Sequence, residues 1–212
     1  MQFSRRAGRP QGNLDTRRRC LEAAERLFAA GGFAGTGLRD IAAAAGVTIA
    51  TMAYHFGSKE KLYGEVLGRV AGSILPYLPD PTAVAGSVTE VTAMLERFLD
   101  WALDHPHLAG LLLRELMENP DRAQRARRWH LRPVIDAYAT AIRRGQERDM
   151  IAACDPEMVA FYVTGAVTHF CAATPTIQRM LDMPDHATTV ERFRATLRAN
   201  AVAMLAPGAQ HG

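Results

Sequence analysis

The chain has little from which to build redox, metal or membrane chemistry. Its 212 residues include three cysteines, Cys20, Cys154 and Cys171. An odd count without Cys-x-x-Cys spacing indicates neither a disulfide framework nor a zinc site, so reduced thiols are expected. No apolar run approaches the ~18 residues of a bilayer span. The N-terminus is polar and Arg-rich, without the apolar core of a signal peptide, so a cytoplasmic protein with no membrane partner is expected. No pattern marks a strand, which leaves no place for a strand-borne phosphate loop. His105 and His107 flank a proline at a helix boundary, while His169 and Cys171 point to different faces of one helix. Neither pair makes a metal site or a nucleophile with its base. No catalytic residue, metal or cofactor is therefore expected, and no enzyme.

Apolar residues make up 48% of the chain, enough for a real core without staples. The net charge of +3 is small, but it is unevenly placed. Up to Val70 there are eleven Arg or Lys residues against six Asp or Glu, and the excess reverses beyond. A basic N-terminal third suits contact with a polyanion.

That third contains the most informative stretch, TGLRDIAAAAGVTIATMAYHFGSKEKLY from Thr36 to Tyr63. Leu38, Ile41, Ala42 and Ala45 recur at i, i+3, i+4 and i+7, which predicts a short helix with one apolar stripe, capped by Thr36. Gly46 suits the tight turn that follows, and Val47 can pack under the corner. A second helix is predicted over Thr48 to Phe56. Met52 and Phe56 share its inner face, leaving Thr48, Ile49, Ala50, Thr51, Ala53, Tyr54 and His55 outside. Short side chains near its start can sink into a major groove, where Thr hydroxyls and small apolar groups meet base edges. Gly57 and Ser58 then break and re-cap the chain, placing Lys59 beside a helix N-terminus as a phosphate clamp.

These residues resemble the N-terminal domain of TetR-type repressors. The resemblance implies an all-α fold with an N-terminal three-helix helix-turn-helix DNA-binding domain plus a C-terminal helical ligand-binding and dimerisation domain. It further implies a homodimer on a palindromic operator in double-stranded DNA, released by a small molecule. By position, phosphate contacts fall to Thr36, Tyr54, His55 and Lys59, and base contacts to Thr48, Ile49, Ala50 and Thr51. The family usually has Tyr where this chain has Ala53. The run AYHFGSKEKLY, and LLLREL with the following Pro120, are closer to the CecR-like subgroup.

In chain order, residues 1–13 read as a flexible basic arm. Arg5, Arg6 and Arg9 either reach into a minor groove or merely solubilise the tail. The DNA-binding domain spans 14–57, with a first helix from Asp15 to Gly31 carrying Leu21, Ala24, Leu27 and Phe28 inward and Arg17, Arg18 and Arg19 in its first turn. A connecting helix occupies 58–76, and 77–212 forms the C-terminal domain. There Ser87 with Glu90, Asp155-Pro156, and Thr188 with Glu191 mark helix starts. Pro133 should bend one helix, and Thr174-Pro175 should end another.

Candidate effector contacts are Met94, Phe98, Trp101, Leu112, Met117, Trp129, Tyr138, Phe161, Tyr162 and His169, an aromatic and Met-rich set for a bulky, partly apolar ligand. At least one of Arg114 and Glu115 should face inward, where it either belongs to an internal ion pair or anchors a polar ligand group. The cluster Arg122, Arg125, Arg127, Arg128 and Arg132 could bind an anion but reads more simply as a solvated helix face. Phe161, Gly165, Thr168 and Ala172, with Val190, Phe193, Leu197, Ala201 and Met204, form either a four-helix dimer seam or an intramolecular core. The competing functional class is a non-regulatory module, a small-molecule scavenger or a nonspecific DNA coater.

Overall fold

The computed structural model describes residues 11–117 and 130–208. Among the described residues the regular structure is helical, without strands. Nine α-helices follow in order: α1 (Gln11–Gly31), α2 (Leu38–Ala45), α3 (Ile49–Phe56), α4 (Lys59–Ile74), α5 (Val88–Asp104), α6 (Pro106–Met117), α7 (Arg132–Gln146), α8 (Pro156–Met180) and α9 (His186–Leu205). No described helix is long and apolar enough to cross a membrane. The chain divides into two compact units, one up to Val66 and one from Leu67.

In the first unit α1 packs on α2 and α2 on α3. The inward stripe of α1 is buried at Cys20, Leu21, Ala24 and Phe28. Phe28 meets Tyr63 edge-on at 4.8 Å between ring centroids, and Phe33 meets the same ring at 5.1 Å. Such edge-to-face pairs hold the aromatic core in one geometry. Helix α1 begins at Gln11, a full turn before Asp15. Asp15 is therefore not a start signal but an ion-pair partner, 2.6 Å from Arg18 and 3.6 Å from Arg19. Helix α2 is capped from Gly37 rather than Thr36, with the Asp40 carboxylate accepting the Gly37 N–H at 3.3 Å.

In the second unit α8 is central, packing against α5, α6, α7 and α9. The capping box at Ser87 and Glu90 is present, its Ser87 N–H donating to Glu90 Oε2 at 2.9 Å. Asp155 caps α8 and accepts from the N–H groups of Glu157 and Met158. Three boundaries differ from the sequence reading. Pro133 opens α7 in its first turn, where a missing N–H costs nothing, instead of bending a longer helix. Helix α8 continues through Pro175 to Met180, its packed flanks outweighing the single bond that the ring removes. Helix α9 starts a turn before the Thr188–Glu191 pair, because Asp185 caps it and accepts the Thr188 N–H at 2.7 Å.

A close backbone crossing ties the loop before α5 to the end of α7. A Cβ on Gly145 would lie 2.1 Å from the Gly86 carbonyl oxygen, and one on Gly86 would lie 2.5 Å from the Gly145 nitrogen. Gly86 also sits at φ +85°, so both steric space and backbone conformation require glycine there. Arg144 and Arg148 reinforce the crossing by donating to the carbonyls of Val84 and Ala85.

Candidate nucleic-acid interface and internal cavity

The turn between α2 and α3 is set by Gly46 at φ +65°, with the Val47 N–H returning to Ala42 O at 3.0 Å. Helix α3 then lies against the core by Met52, 1% exposed, and Phe56, 5% exposed. Its other face is open: Thr48, Ile49, Ala50, Ala53 and Tyr54 are exposed, Tyr54 to 77%, while Thr51 and His55 are half-buried. The predicted base-contact set is thus brought together on one free helical face.

Thr48 has a second duty there. Its hydroxyl oxygen accepts the Thr51 N–H at 3.1 Å as the α3 N-cap and lies 2.9 Å from the Thr51 hydroxyl. Thr36 is placed otherwise than predicted. It is buried, and its hydroxyl proton is shared between Leu27 O at 3.0 Å and Gly32 O at 2.8 Å, so the side chain ties the end of α1 instead of reaching solvent. Lys59, half-buried at the start of α4, holds its ammonium 4.4 Å above the Phe33 ring centroid, a cation–π seat from which a flexible stem can swing. Ser58 caps that helix, accepting the Lys61 N–H at 3.2 Å. Arg17 pairs with Glu65 and lies over the Phe56 ring. Arg17, Arg18 and Arg19 are therefore already held by carboxylates. Arg5, Arg6 and Arg9 lie outside the described residues.

The second unit has a partly open pocket of about 60 Å³ lined by residues of α5, α6, α7 and α8. Of the predicted effector residues, Phe98, Leu112 and Phe161 line it. Gly165 and Thr168, read as part of a dimer seam, line it as well. Sequence reasoning missed Leu116, Leu131, Val134, Ile135 and Thr164, which also line it among the described residues. Aliphatic residues on amphipathic helices carry no signal that separates a cavity wall from solid core.

Trp101 and Tyr138 are core residues rather than walls. Trp101 stacks on Phe98 at 5.6 Å and 5° between planes, and its indole N–H donates to the Ser73 hydroxyl at 3.1 Å. Tyr138 is fully buried with its hydroxyl donating to Met94 O at 3.0 Å, and burial pushes its phenol far above the usual range. Met94 is buried beside it, Arg114 is half-buried away from the cavity wall, and Met117 and Tyr162 are exposed. His169 lies on a separate surface groove between α8 and α9 with Phe170, Phe193 and Arg192. Trp129, with Arg122, Arg125, Arg127 and Arg128, lies outside the described residues.

The expected α9 seam is largely consumed within the chain. Leu197 and Ala201 are buried, Phe193 stacks on Phe170 at 3.8 Å, and Val190 and Met204 are half-buried. Thr168 is buried too, whereas Phe161 is 53% exposed and Ala172 exposed. Helix α8 instead leaves Met158, Tyr162, His169 and Ala172 exposed, with the half-buried Gly165 in the same row at the pocket's edge, and α9 leaves Ala195, Ala199 and Val202 exposed. No cluster of three metal-ligating side chains occurs among the described residues. All three cysteines are free thiols, and burial pushes each upward, Cys171 to about 11, so none is poised as a thiolate at neutral pH.

Comparison with known proteins places this geometry in context. A family model described as bacterial regulatory proteins, tetR family, matches residues 21–66, the stretch that holds α2 and α3. The chain is 28% identical over 172 residues to the HTH-type transcriptional repressor SCO4008 of Streptomyces coelicolor, covering 78% of this chain and 83% of that protein. It is 25% identical over 158 residues to the HTH-type transcriptional regulator RutR of Escherichia coli K12, covering 74% of each. Among solved structures, SCO4942 of Streptomyces coelicolor superposes with a TM-score of 0.70 at 21% identity, over 91% of this chain and 99% of the other. A TetR transcriptional regulator from Chloroflexus aurantiacus gives 0.64 at 23% identity, over 93% and 100%.

Proposed function

We propose that this chain, which the tetR-family model matches over residues 21–66 and which is similar to the regulators SCO4008 and RutR, is a DNA-binding transcriptional regulator of that type and not an enzyme: a repressor that binds a palindromic operator as a homodimer and is released by a small molecule. The observation that carries the reading is the open face of α3, backed by Met52 and Phe56 and opened by a capped N-terminus. Thr48, Ile49, Ala50 and Thr51 are the base-reading set, Tyr54, His55 and Lys59 the phosphate set, and Arg5, Arg6 and Arg9 the minor-groove arm. Thr36 acts from behind by holding the α1–α2 corner. The relative SCO4008 is a repressor, which favours repression over activation.

One helix-turn-helix reads too few base pairs for useful specificity, and a two-fold axis doubles them. The outer faces of α8 and α9, with Gly165, Ala172, Ala195 and Ala199 permitting close helix approach, are the surfaces for that pairing. The effector occupies the cavity beneath Phe98 and Phe161. It acts by population shift, favouring a spacing of the two recognition helices that no longer fits successive major grooves.

Selection of duplexes from a random pool at near-physiological salt tests this reading. An enriched inverted repeat, bound by a species of twice the chain mass in sedimentation, is the expected result. Binding that enriches nothing and falls with salt alike on every sequence would mark a nonspecific coater and overturn it.

A further inference from the structure

The first half of α1 gives three adjacent arginines different surroundings. Arg17, Leu21, Ala24 and Phe28 recur at i, i+4, i+7 and i+11, so Arg17 prolongs the inward stripe of the helix, whereas Arg18 and Arg19 are exposed. Leu21, Ala24 and Phe28 are buried, and Arg17 is half-buried at the end of their row. Its guanidinium reaches two other helices. Nη2 donates to the Glu65 carboxylate on α4, and the guanidinium carbon lies 5.3 Å from the centroid of the Phe56 ring at the end of α3. A planar fork of donors can lie over a ring and pair sideways at once, which the compact ammonium of lysine cannot do in one pose. Helix α3 has need of such a hold. It is eight residues long, and Met52 and Phe56 are its buried side chains. They lie one turn apart on a single line, so they fix the depth of α3 in the core but resist a roll about that line only weakly. Whatever seats the Phe56 ring therefore sets the angle at which Thr48, Ile49, Ala50 and Thr51 are presented. The Arg17–Glu65 pair is partly exposed and adds little to global stability, so its consequence is orientation more than folding.

We propose that Arg17 is a positioning residue for base reading: held by Glu65, its guanidinium clamps the Phe56 ring and so fixes the angle at which the open face of α3 meets a duplex. The inference rests on the reading of α3 as the base-reading helix. It gives α1 and α4 a share in sequence preference through side chains that touch no base, and it takes Arg17 out of the set available to phosphates.

The test compares the full chain on the duplex enriched by selection and on a scrambled duplex of the same length. Glu65→Gln and Arg17→Gln shift the net charge in opposite directions, so long-range attraction to DNA moves oppositely in the two. Both are nonetheless expected to lower the ratio of operator to scrambled affinity by about tenfold, the cost of roughly one mismatched base pair. The double variant should lose no more than either single one, because each breaks the same clamp. Arg17→Lys keeps the charge without the planar fork and should recover little of the ratio. Amide hydrogen exchange reads the clamp without DNA: Glu65→Gln should speed exchange in α3 several-fold while α1 keeps the parent rate. An unchanged ratio in both single variants, or full rescue by Arg17→Lys, would overturn the assignment to base reading. So would a Glu65→Gln chain that binds every duplex more tightly with a salt slope steeper by about one, since Arg17 would then be a phosphate contact held in reserve. Exchange in α3 at the parent rate would overturn the clamp itself. If the parent enriches no duplex, the reading of α3 fails alone, and the exchange rates still decide whether Arg17 holds the helix.

Discussion

Thr48 is asked to do two things, and substitution can separate them. Its hydroxyl oxygen caps α3 by accepting the Thr51 N–H, and its side chain stands at the leading edge of the face assigned to base reading. Thr48→Ala removes the cap. Because the site is exposed, the abandoned N–H turns to water, so the loss stays near the usual cap value of about 1 kcal/mol and below the 1–3 kcal/mol of a stranded buried group. Thr48→Ser keeps the cap and the hydroxyl but loses the methyl group, and its stability should fall within about 0.5 kcal/mol of the parent. Thr48→Asp also keeps the cap but sets a negative charge towards the phosphates, so it should fold normally and bind every duplex poorly. Denaturant unfolding at one protein concentration reads the stability. Binding to the selected duplex and its single-base variants reads the specificity. If the methyl group meets a thymine, Ser and Ala both relax preference at one base step; if the hydroxyl meets the base, only Ala does. Equal stability of Ala and Ser would refute the cap. Unchanged preference in all three variants would refute the base contact.

Lys59→Ala should weaken binding to all duplexes about equally and lower the salt slope by about one, whereas Lys59→Arg should restore most of both; a change in base preference would contradict a phosphate role. Thr92 and Thr174, both buried, predict opposite signs for one chemical change. The Thr92 hydroxyl has no hydrogen-bond partner among the described residues, so Thr92→Val should raise the thermal midpoint, by up to about 1–3 kcal/mol equivalent. Thr174 donates to Phe170 O at 2.6 Å, so Thr174→Val should lower it by about 1 kcal/mol. For Glu90, the Ser87 N–H holds the carboxyl below its ordinary value. Its stabilisation is present above the unfolded pKa near ~4.3 and is lost as pH falls through the lower folded value. Glu90→Gln does not titrate, so the gap between parent and variant midpoints should close as pH is lowered from about 6 towards 3. A constant gap would remove the charge from the explanation.

The N-terminal unit was legible because its signals are local. Gly46, Met52 with Phe56, and the Gly57-Ser58 break each act within a turn or two of sequence, where periodicity and capping dominate. Thr36 was misjudged because its hydroxyl is consumed by carbonyls four and nine residues back, which no spacing rule reveals. The C-terminal helices were recognisable as helices, but the sharing of residues between core, cavity and surface was not. Trp101 and Phe98 lie three residues apart with similar chemistry, and only packing makes one a wall and the other its backing. Leu197 and Ala201 on α9 show a seam-like period because an intramolecular helix contact has the same period as an intermolecular one. Asp185 was passed over for Thr188 because both can cap, and the choice depends on where the chain arrives from α8.

The stack of Phe98 on Trp101 gives the protein an optical gauge of its own. One ring of the pair faces the cavity and the other is a fully buried indole with a single hydrogen bond, to Ser73. An indole so enclosed emits at short wavelength, and its intensity responds to the ring lying flat against it. The chain has two tryptophans, so Trp129→Phe leaves Trp101 as the sole emitter. Cavity occupancy in that variant could then be followed by emission from the protein itself, in the same cuvette as the operator and without a dye on either partner.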